Sequence, residues 1–167
     1  NTIEIVDIAG LVKGASKGEG LGNQFLSNIR STNAIIHVLR CFDDPNVIHV
    51  DGSVDPIRDK EIIDTELQLK DLESIDKKLQ KTEKAAKIGD KDAKKTYEVL
   101  TLYKEHLSAG KSARSLVMDE KDKECIEDLQ LLTAKPVMYV CNVDEAAVVK
   151  GNAFVDKVKA AVKDENA

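Results

Sequence analysis

The sequence contains no tryptophan, and only 4% of its residues are aromatic. It has no apolar run near the roughly 20 residues that cross a bilayer, and no signal peptide is recognisable, so we expect no membrane partner. The three cysteines, Cys41, Cys125 and Cys141, are odd in number and lack the spacing of metal ligands. They indicate reduced thiols in a cytoplasmic protein.

Charge, by contrast, is plentiful. Of the 167 residues, 42% are hydrophobic and 33% are charged, a balance that suits one modest core or one domain with an inserted appendage. The chain begins at Asn1, without a methionine and only a few residues before an apolar run. We therefore expect it to be a piece of a longer protein.

The net charge of −5 is distributed unevenly. Residues 77–95 hold eight lysines against Glu83, Asp90 and Asp92, so this window carries +5 and the rest of the chain −10. Such asymmetry is typical of a surface that meets nucleic acid. The alternative is a solvated lysine face on a long helix, and the window lacks the interleaved aromatics of a base-stacking platform.

Three apolar segments have the character of strands: Ile3–Ile8, Ala34–Leu39 and Val137–Cys141. A helical stretch from Leu21 to Ser31 joins the first two and gives a βαβ unit, which implies a parallel sheet. A final helix is predicted from about Asn152 to Lys163. The pattern predicts an α/β fold, a partial doubly wound parallel sheet built from residues 1–55 and 134–167.

Residues 56–133 are too many for a simple crossover and predict an inserted helical domain. A proline suits the helix start after Asp55, and apolar residues then recur with an a/d-like spacing up to Gly89. Asp90 can cap a second helix with a similar stripe. The two stripes predict an antiparallel coiled-coil arm with the lysine-rich window at its tip.

Two ordinary core helices are the alternative interpretation of this insert. The tight turn and the highly charged outer faces favour a projecting arm. A further helix, over about Glu120 to Leu132, is expected to return the chain to the sheet.

The first segment with chemical character follows the first predicted strand. Asp7 and Gly10 form a D-x-x-G element, and five of the nine glycines fall between positions 10 and 22. A carboxylate at the edge of a sheet can face a metal ion, and a glycine amide can approach a phosphate because no Cβ blocks it. The alternative for Asp7 is a simple helix cap.

A second polar element, Asn142-Val143-Asp144-Glu145, follows the third predicted strand. Open parallel sheets bind ligands outside the carboxyl ends of their strands, where nucleotide-binding folds place the loop that reads the base. Each element alone is a weak signal. Together, in the right order at the right strand ends, they favour nucleotide chemistry.

The stretch from Asp7 to Asn23 resembles the third nucleotide-binding motif of the Obg group of P-loop (TRAFAC) NTPases. Other segments resemble the YchF-type branch of that group: Asn28-Ile29-Arg30, Val38-Leu39-Arg40-Cys41-Phe42, Val54-Asp55-Pro56, Gly89-Asp90-Lys91-Asp92-Ala93 and Lys135-Pro136-Val137-Met138-Tyr139. The resemblance covers essentially the whole chain, including the helical insert. It implies that residues 1–55 and 134–167 are a partial nucleotide-binding (G) domain.

By this resemblance, Asp7 would hold Mg²⁺ through water, and the Gly10 amide would sense the terminal phosphate. Leu11 stands where Ras-like enzymes have a glutamine that orients the attacking water. Leucine makes no hydrogen bond, so another group must serve or hydrolysis must be slow. The polar candidates for this role are Lys13, Ser16 and His49. The resemblance favours His49 as the catalytic group, and the alternative is a loop histidine without a role.

The resemblance also bears on which nucleotide is bound. In the guanine-reading sequence N-K-x-D, the aspartate accepts hydrogen bonds from the base and the lysine packs on it. Here Val143 replaces the lysine and Glu145 replaces the aspartate, while Asn142 is kept. We therefore expect ATP, with GTP less preferred, and Mg²⁺ as cofactor.

The Gly-rich loop that cradles the β- and γ-phosphates is missing from these residues. In this fold its strand lies between the strand that ends at Asp7 and the strand Ala34–Leu39. We expect the chain alone to be inactive, and the missing strand to come from further chain, a partner or a rearranged sheet. A small C-terminal domain is also expected beyond Ala167.

Two functions are open at this point. The first is a nucleotide-dependent switch that hydrolyses ATP and is linked to ribosomes, translation or stress. The alternative is an interaction module that contacts RNA or ribosomes through the basic arm Lys77–Lys95. The oligomeric state is left open.

Overall fold

The computed structural model describes residues 2–8, 21–46, 52–165 and 167. The main elements are α1 (Leu21–Arg30), β1 (Ile35–Arg40), α2 (Pro56–Lys87), α3 (Lys91–Ser108), α4 (Glu120–Glu124), β2 (Val137–Asn142) and α5 (Ala153–Ala161). Short 3₁₀ turns lie at Ala113–Ser115, Glu127–Leu129, Leu132–Ala134 and Glu145–Ala147. Within these residues, no helix has the length and apolar character needed to cross a bilayer.

The sheet consists of β1 and β2, which pair in parallel. The register runs from Ile35 opposite Val137 to Arg40 opposite Asn142. Leu39 packs on one face against Val158 of α5. The α/β class and the parallel sheet are thus confirmed, and both strands begin within one residue of their predicted starts.

The prediction of a buried strand over Ile3–Ile8 is wrong. Residues 2–8 have no regular secondary structure, and Ile3 and Ile5 are 86% and 75% exposed. A strand exists only through hydrogen bonds to a neighbour, and in the described residues β1 pairs with β2 alone. The predicted βαβ unit is therefore incomplete, although its helix α1 forms.

Helices α2 and α3 form the predicted antiparallel hairpin. The Asp55 carboxylate caps α2 by accepting hydrogen bonds from Ile57 N and Arg58 N, both at 3.1 Å. The turn at the other end passes through Gly89, whose φ of +95° favours glycine. Asp90 then caps α3 by accepting from Asp92 N and Ala93 N at 3.0 Å.

The hairpin has its own apolar core. Its buried members come from α2, α3 and the segment that follows: Ile75, Val99, Leu100, Tyr103, Leu107, Ala113, Ile126 and Leu131. With 32 residues, α2 is about 48 Å long, compared with about 27 Å for the 18 residues of α3. The N-terminal part of α2 extends past α3 and packs against the sheet and α5.

The expected continuous helix over Glu120–Leu132 is also wrong. Helix α4 ends at Glu124, a 3₁₀ turn follows, and Gln130 adopts a positive φ of 45°. The break sends Leu131 into the hairpin core and Leu132 into a second cluster with Leu26 and Leu67. The two adjacent leucines thus pack in different clusters.

Candidate functional site

The carboxyl ends of β1 and β2 are held together by backbone hydrogen bonds. Cys41 N donates to Asn142 O at 2.7 Å, directly after the last register pair. Asn152 adds a second link, because its Nδ2 donates to Cys41 O at 2.7 Å while its Oδ1 accepts from Val155 N at 3.0 Å. Asn152 thus caps α5 and fixes the end of β1. The sequence predicts this residue at the helix start but not its link to the strand, which joins residues 111 positions apart.

The four residues of the predicted base-reading loop have different environments. The Asn142 and Glu145 side chains are exposed at the sheet edge, but Val143 packs against the cluster of Leu39 and Val158. Asp144 Oδ1 accepts from Ala147 N at 2.9 Å and caps the short turn that begins at Glu145. Two of the three predicted contact residues are therefore accessible, and Val143 faces inward.

Asp7, the predicted magnesium ligand, is exposed. The next residue, Ile8, packs against the cluster of Leu26, Leu67 and Leu132, so the chain is anchored beside the carboxylate. Among the described residues, none forms a hydrogen bond or ion pair with Asp7. Gly10, Leu11 and His49 lie outside the described residues, as do Lys13 and Ser16, so their predicted roles stay predictions.

A buried ionic cluster, not anticipated from the sequence, joins α2 to the sheet. Lys60 is only 5% exposed, and its Nζ lies 2.6 Å from Asp64 Oδ2 and 2.5 Å from Glu165 Oε1. Tyr139 on β2 donates its hydroxyl to Glu165 Oε2 at 2.8 Å, and an Arg114 guanidinium nitrogen lies 3.6 Å from the same oxygen. The cluster therefore connects the base of the arm, the sheet and the end of the chain.

For Lys60 and Glu165, burial and hydrogen bonding shift the pKa in opposite directions. Burial lowers the pKa of Lys60, but hydrogen bonds to Asp64 and Glu165 prevail and raise it above its ordinary value. Burial would raise the pKa of Glu165, yet the bonds from Lys60 and Tyr139 hold it below its ordinary value. For Tyr139, burial, the nearby Asp64 and the bond to Glu165 raise the pKa to about 12.

A second buried carboxylate fixes the middle of α2. Asp71 is fully buried and accepts hydrogen bonds from Leu132 N, Thr133 N and Thr133 Oγ1, each at 2.8 Å. Thr133 Oγ1 in turn accepts from Ala113 N at 3.0 Å. Burial raises the pKa of Asp71, and the bonds from Thr133 and Leu132 oppose that rise. This contact holds the arm to the segment that leads into β2.

The two described histidines have structural contacts. His37 stacks on Tyr139 with ring centroids 5.5 Å apart, and burial lowers its pKa. His106 Nε2 lies 2.8 Å from Ser115 Oγ and 3.1 Å from Ser112 O. Both histidines thus have contacts within the fold.

A cleft of about 700 Å³ lies between the base of α2, residues 110–115 and the end of α5. Its walls include Lys60, Arg114 and Glu165 of the ionic cluster, and none of the predicted nucleotide-contacting residues that the structure describes. Gly110-Lys111-Ser112 has the letters that end a phosphate-binding loop. However, Glu105 in α3 occupies the position of the loop's first glycine, and a 3₁₀ turn rather than a helix follows.

The lysine-rich window lies at the far end of the hairpin, where its lysines divide into two sets. Four form ion pairs: Lys77 with Glu73, Lys78 with Asp128, Lys87 with Glu83, and Lys95 with Asp122. The other four, Lys81, Lys84, Lys91 and Lys94, are exposed and have no carboxylate partner in the described part of the chain. Two exposed carboxylates, Asp90 and Asp92, also lie beside the turn, so the excess of positive charge there is partial.

Comparisons with known proteins agree on the family. A family model described as "50S ribosome-binding GTPase" matches residues 1–101. The chain is 49% identical to the ribosome-binding ATPase YchF of Bacillus subtilis over 98% of this chain and 45% of that protein. It is 48% identical to Obg-like ATPase 1 of Oryza sativa subsp. indica, over 97% of this chain and 42% of that protein.

A solved structure supports the same family assignment. The Schizosaccharomyces pombe YchF GTPase superposes with a TM-score of 0.77 at 40% identity, covering 95% of this chain and 44% of that one. The chain thus spans less than half the length of these relatives. The likeness includes the parallel sheet and the long helices described above.

Proposed function

The chain belongs to the YchF-type branch of the Obg family of P-loop NTPases, and on that premise we propose that the whole protein is a nucleotide-dependent switch that hydrolyses ATP to ADP and phosphate in the cytoplasm. One observation supports this most directly. Asn142 and Glu145 present exposed polar side chains at the carboxyl end of a parallel strand, where such sheets bind nucleotides. The test is Mg²⁺-dependent phosphate release by the full-length protein, reduced by Asp7→Asn.

Asp7 is suited to the proposed magnesium site. Its carboxylate is exposed and without a partner among the described residues, and oxygen is the ligand that Mg²⁺ prefers. When bound, the ion would neutralise charge on the phosphates. Anchoring of Ile8 in the apolar cluster would fix the position of Asp7.

We propose that ATP is preferred to GTP. The names of the relatives include both ATPase and GTPase, so the argument rests on this chain's residues. Glu145 is one methylene longer than the guanine-reading aspartate, and Val143 faces the core rather than a base.

Calorimetry on the full-length protein tests the preference. ATP should bind more tightly than GTP, and Glu145→Asp should narrow the difference. Asp144→Asn is the matched control, because that neighbouring carboxylate caps a turn. Comparable affinity of the unaltered protein for both nucleotides would contradict the proposal.

Hydrolysis requires a group to position water, and Leu11 has no polar atom for this. We propose that His49 serves, so that His49→Ala should lower kcat by about 100-fold with little change in KM. Lys13→Ala and Ser16→Ala are the comparison variants. If one of them reproduces the loss and His49→Ala does not, the role passes to that residue.

The 167 residues alone should neither bind ATP tightly nor hydrolyse it, because they contain no G-x-x-x-x-G-K-[ST] sequence to cradle the phosphates. Calorimetry on this piece tests the expectation. A dissociation constant in the micromolar range would refute it.

A second candidate function is contact with ribosomes or RNA through the arm, which can coexist with hydrolysis. The exposed lysines of the window favour it, and bacterial relatives are named ribosome-binding. A salt-dependent pull-down with Lys84, Lys87 and Lys91 reversed to glutamate tests it. Unchanged binding would remove the arm from consideration.

A further inference from the structure

We infer that Asn152 is a positioning residue for the nucleotide base, because it fastens the loop that carries Asn142 and Glu145 to the end of β1. The inference rests on the proposed nucleotide site, and it adds a residue that acts on that site through others. Residues 142–152, which we call the 142–152 loop, run from the last residue of β2 to the N-cap of α5.

Both ends of the 142–152 loop are hydrogen-bonded to one residue, Cys41. At the first end, Cys41 N donates to Asn142 O at 2.7 Å. At the second end, Asn152 Nδ2 donates to Cys41 O, also at 2.7 Å. Cys41 is fully buried in the cluster of Leu39 and Val158, so its backbone is a fixed support for both bonds.

Inside the loop, the hydrogen bonds are local. Ala147 N donates to Asp144 Oδ1 at 2.9 Å, and Gly151 N donates to Ala147 O at 2.8 Å. Val148 and Val149 are 68% and 92% exposed, so they do not pack the loop onto the sheet. Local turns fix the shape of the loop but not its place on the sheet. That place depends on the two ends and on the inward packing of the loop's second residue.

Capping of α5 does not by itself explain why residue 152 is asparagine. The cap needs only an acceptor, and Asn152 Oδ1 serves Val155 N at 3.0 Å. Aspartate caps a helix as well as asparagine does, and its charge also suits the helix dipole. Unlike a carboxylate, the amide supplies a donor as well, and here that donor bonds Cys41 O. The acceptor therefore serves the helix, and the donor serves the loop.

The place of the loop decides where its polar side chains meet a base. Asn142 and Glu145 are exposed at the sheet edge, and a binding site needs its groups within about 0.5 Å of the productive geometry. Without the second link, the loop would be free to move about the first, and base contacts would weaken. In the proposed site the phosphates are contacted elsewhere, through Asp7 and Gly10, so phosphate contacts should be kept.

The experiment separates the link from the cap in the full-length protein. Asn152→Asp keeps the cap but places an oxygen against the Cys41 carbonyl oxygen, whereas Asn152→Ala removes both the cap and the link. Asp90→Ala is the matched control, since it removes the cap of α3 and leaves the loop unchanged. Circular dichroism checks folding. Calorimetry measures binding of ATP and of tripolyphosphate, which has no base, each with Mg²⁺.

Asn152→Asp and Asn152→Ala should each bind ATP about five- to tenfold more weakly, as expected for the loss of one hydrogen bond. Their affinity for tripolyphosphate should stay within about twofold, because the phosphate contacts are separate from the loop. Asp90→Ala should match the unaltered protein with both probes. Without nucleotide, amide hydrogen exchange of residues 142–152 should be faster in Asn152→Asp.

Equal weakening of ATP and tripolyphosphate binding would overturn the inference, because the variant would then disturb more than base contacts. A loss in Asn152→Ala without one in Asn152→Asp would assign the effect to the helix cap and overturn it as well. If the unaltered protein binds ATP and Asn152→Asp binds it equally well, the inference alone fails. If the unaltered protein binds no ATP, the proposed function fails and this inference fails with it.

Discussion

Asp71 illustrates how a single buried side chain can join two parts of the molecule. Its carboxylate accepts three hydrogen bonds from residues 61 and 62 positions further along the chain. Leu132 N and Thr133 N lie in a 3₁₀ turn just before β2, where no regular ladder satisfies them. Asp71 thus fixes the middle of α2 to the segment that leads into β2, in addition to the ionic cluster at the base of the helix.

Asp71→Asn should destabilise the protein by about 2–3 kcal/mol, because the amide is isosteric but places a donor against backbone and hydroxyl donors. Asp76→Asn is the matched control on the same helix. Asp76 pairs with Lys104 at the surface, so its loss should cost less than about 1 kcal/mol. Urea unfolding at an unchanged m-value measures both, and similar costs for the two variants would contradict the assigned role of Asp71.

The ionic cluster predicts a loss of stability in alkali. The pKa of Tyr139 is raised to about 12, so above pH 10 the unfolded chain releases this proton while the folded protein keeps it. The raised pKa of Lys60 acts in the same direction, because its contribution is complete below its ordinary value of 10.5 and is lost above it.

The free energy of unfolding should therefore fall between pH 10 and 11, by about 1 kcal/mol for Tyr139 alone. Tyr139→Phe should make this fall shallower. Urea titrations at pH 9, 10 and 11 measure the slope. An identical slope in the variant would show that Tyr139 does not contribute.

At the scale of elements, the arm is two helices whose packing is confined to one stripe on each. Leu100 and Leu102 lie two residues apart on α3, but Leu100 is fully buried against α2 whereas Leu102 is 48% exposed. The helix period of 3.6 residues places them on different faces. The apolar stripe, and not helix propensity alone, therefore holds the hairpin together.

Leu100→Ala should cost about 3 kcal/mol, since it removes buried methyl groups and leaves a cavity. Leu102→Ala changes the same residue type on the same helix and should cost less than about 1 kcal/mol. Thermal unfolding followed by circular dichroism at 222 nm compares them. Equal shifts of Tm would mean that the hairpin core does not stabilise the fold.

At the scale of the whole molecule, the two faces of the sheet differ in how far their apolar side chains are buried. One face carries Leu39 into the core with α5, while the other exposes Ile36, Val38, Met138 and Val140. In register, Ile36 lies opposite Met138 and Val38 opposite Val140, so the four side chains form one continuous apolar patch. Contiguous apolar surface of this kind binds hydrophobic probes more than scattered residues do.

The chain of 167 residues should therefore bind the dye ANS through this patch. Val38→Thr with Met138→Gln should reduce the fluorescence at least about twofold without unfolding the chain, because both side chains are more than half exposed. Val117→Thr is the control, since this residue is exposed outside the sheet. An unchanged signal in the double variant would show that the patch does not bind the dye.

Much of the fold was predictable from local signals. Pro56 after Asp55, Gly89 before Asp90 and Asn152 before α5 act within a few residues of their own position, so the helix ends followed from the sequence. Of the candidate site, the sequence predicts nucleotide contacts for Asn142, Val143 and Glu145, and these roles stay predictions. The inward packing of Val143 was not predictable, because it depends on Leu39 and Val158, which are distant in the chain.

The sequence by itself determined the hairpin with its caps, the two strands and the family, because periodicity, capping and motifs are local properties. Only the tertiary structure decided that Lys60 meets Glu165, 105 residues away, and which lysines of the arm keep an uncompensated charge. It also decided that Ile3–Ile8 does not form a strand, since a strand needs a neighbour. Ion pairs and strand pairing both depend on which groups the fold brings into contact, and no local pattern fixes that.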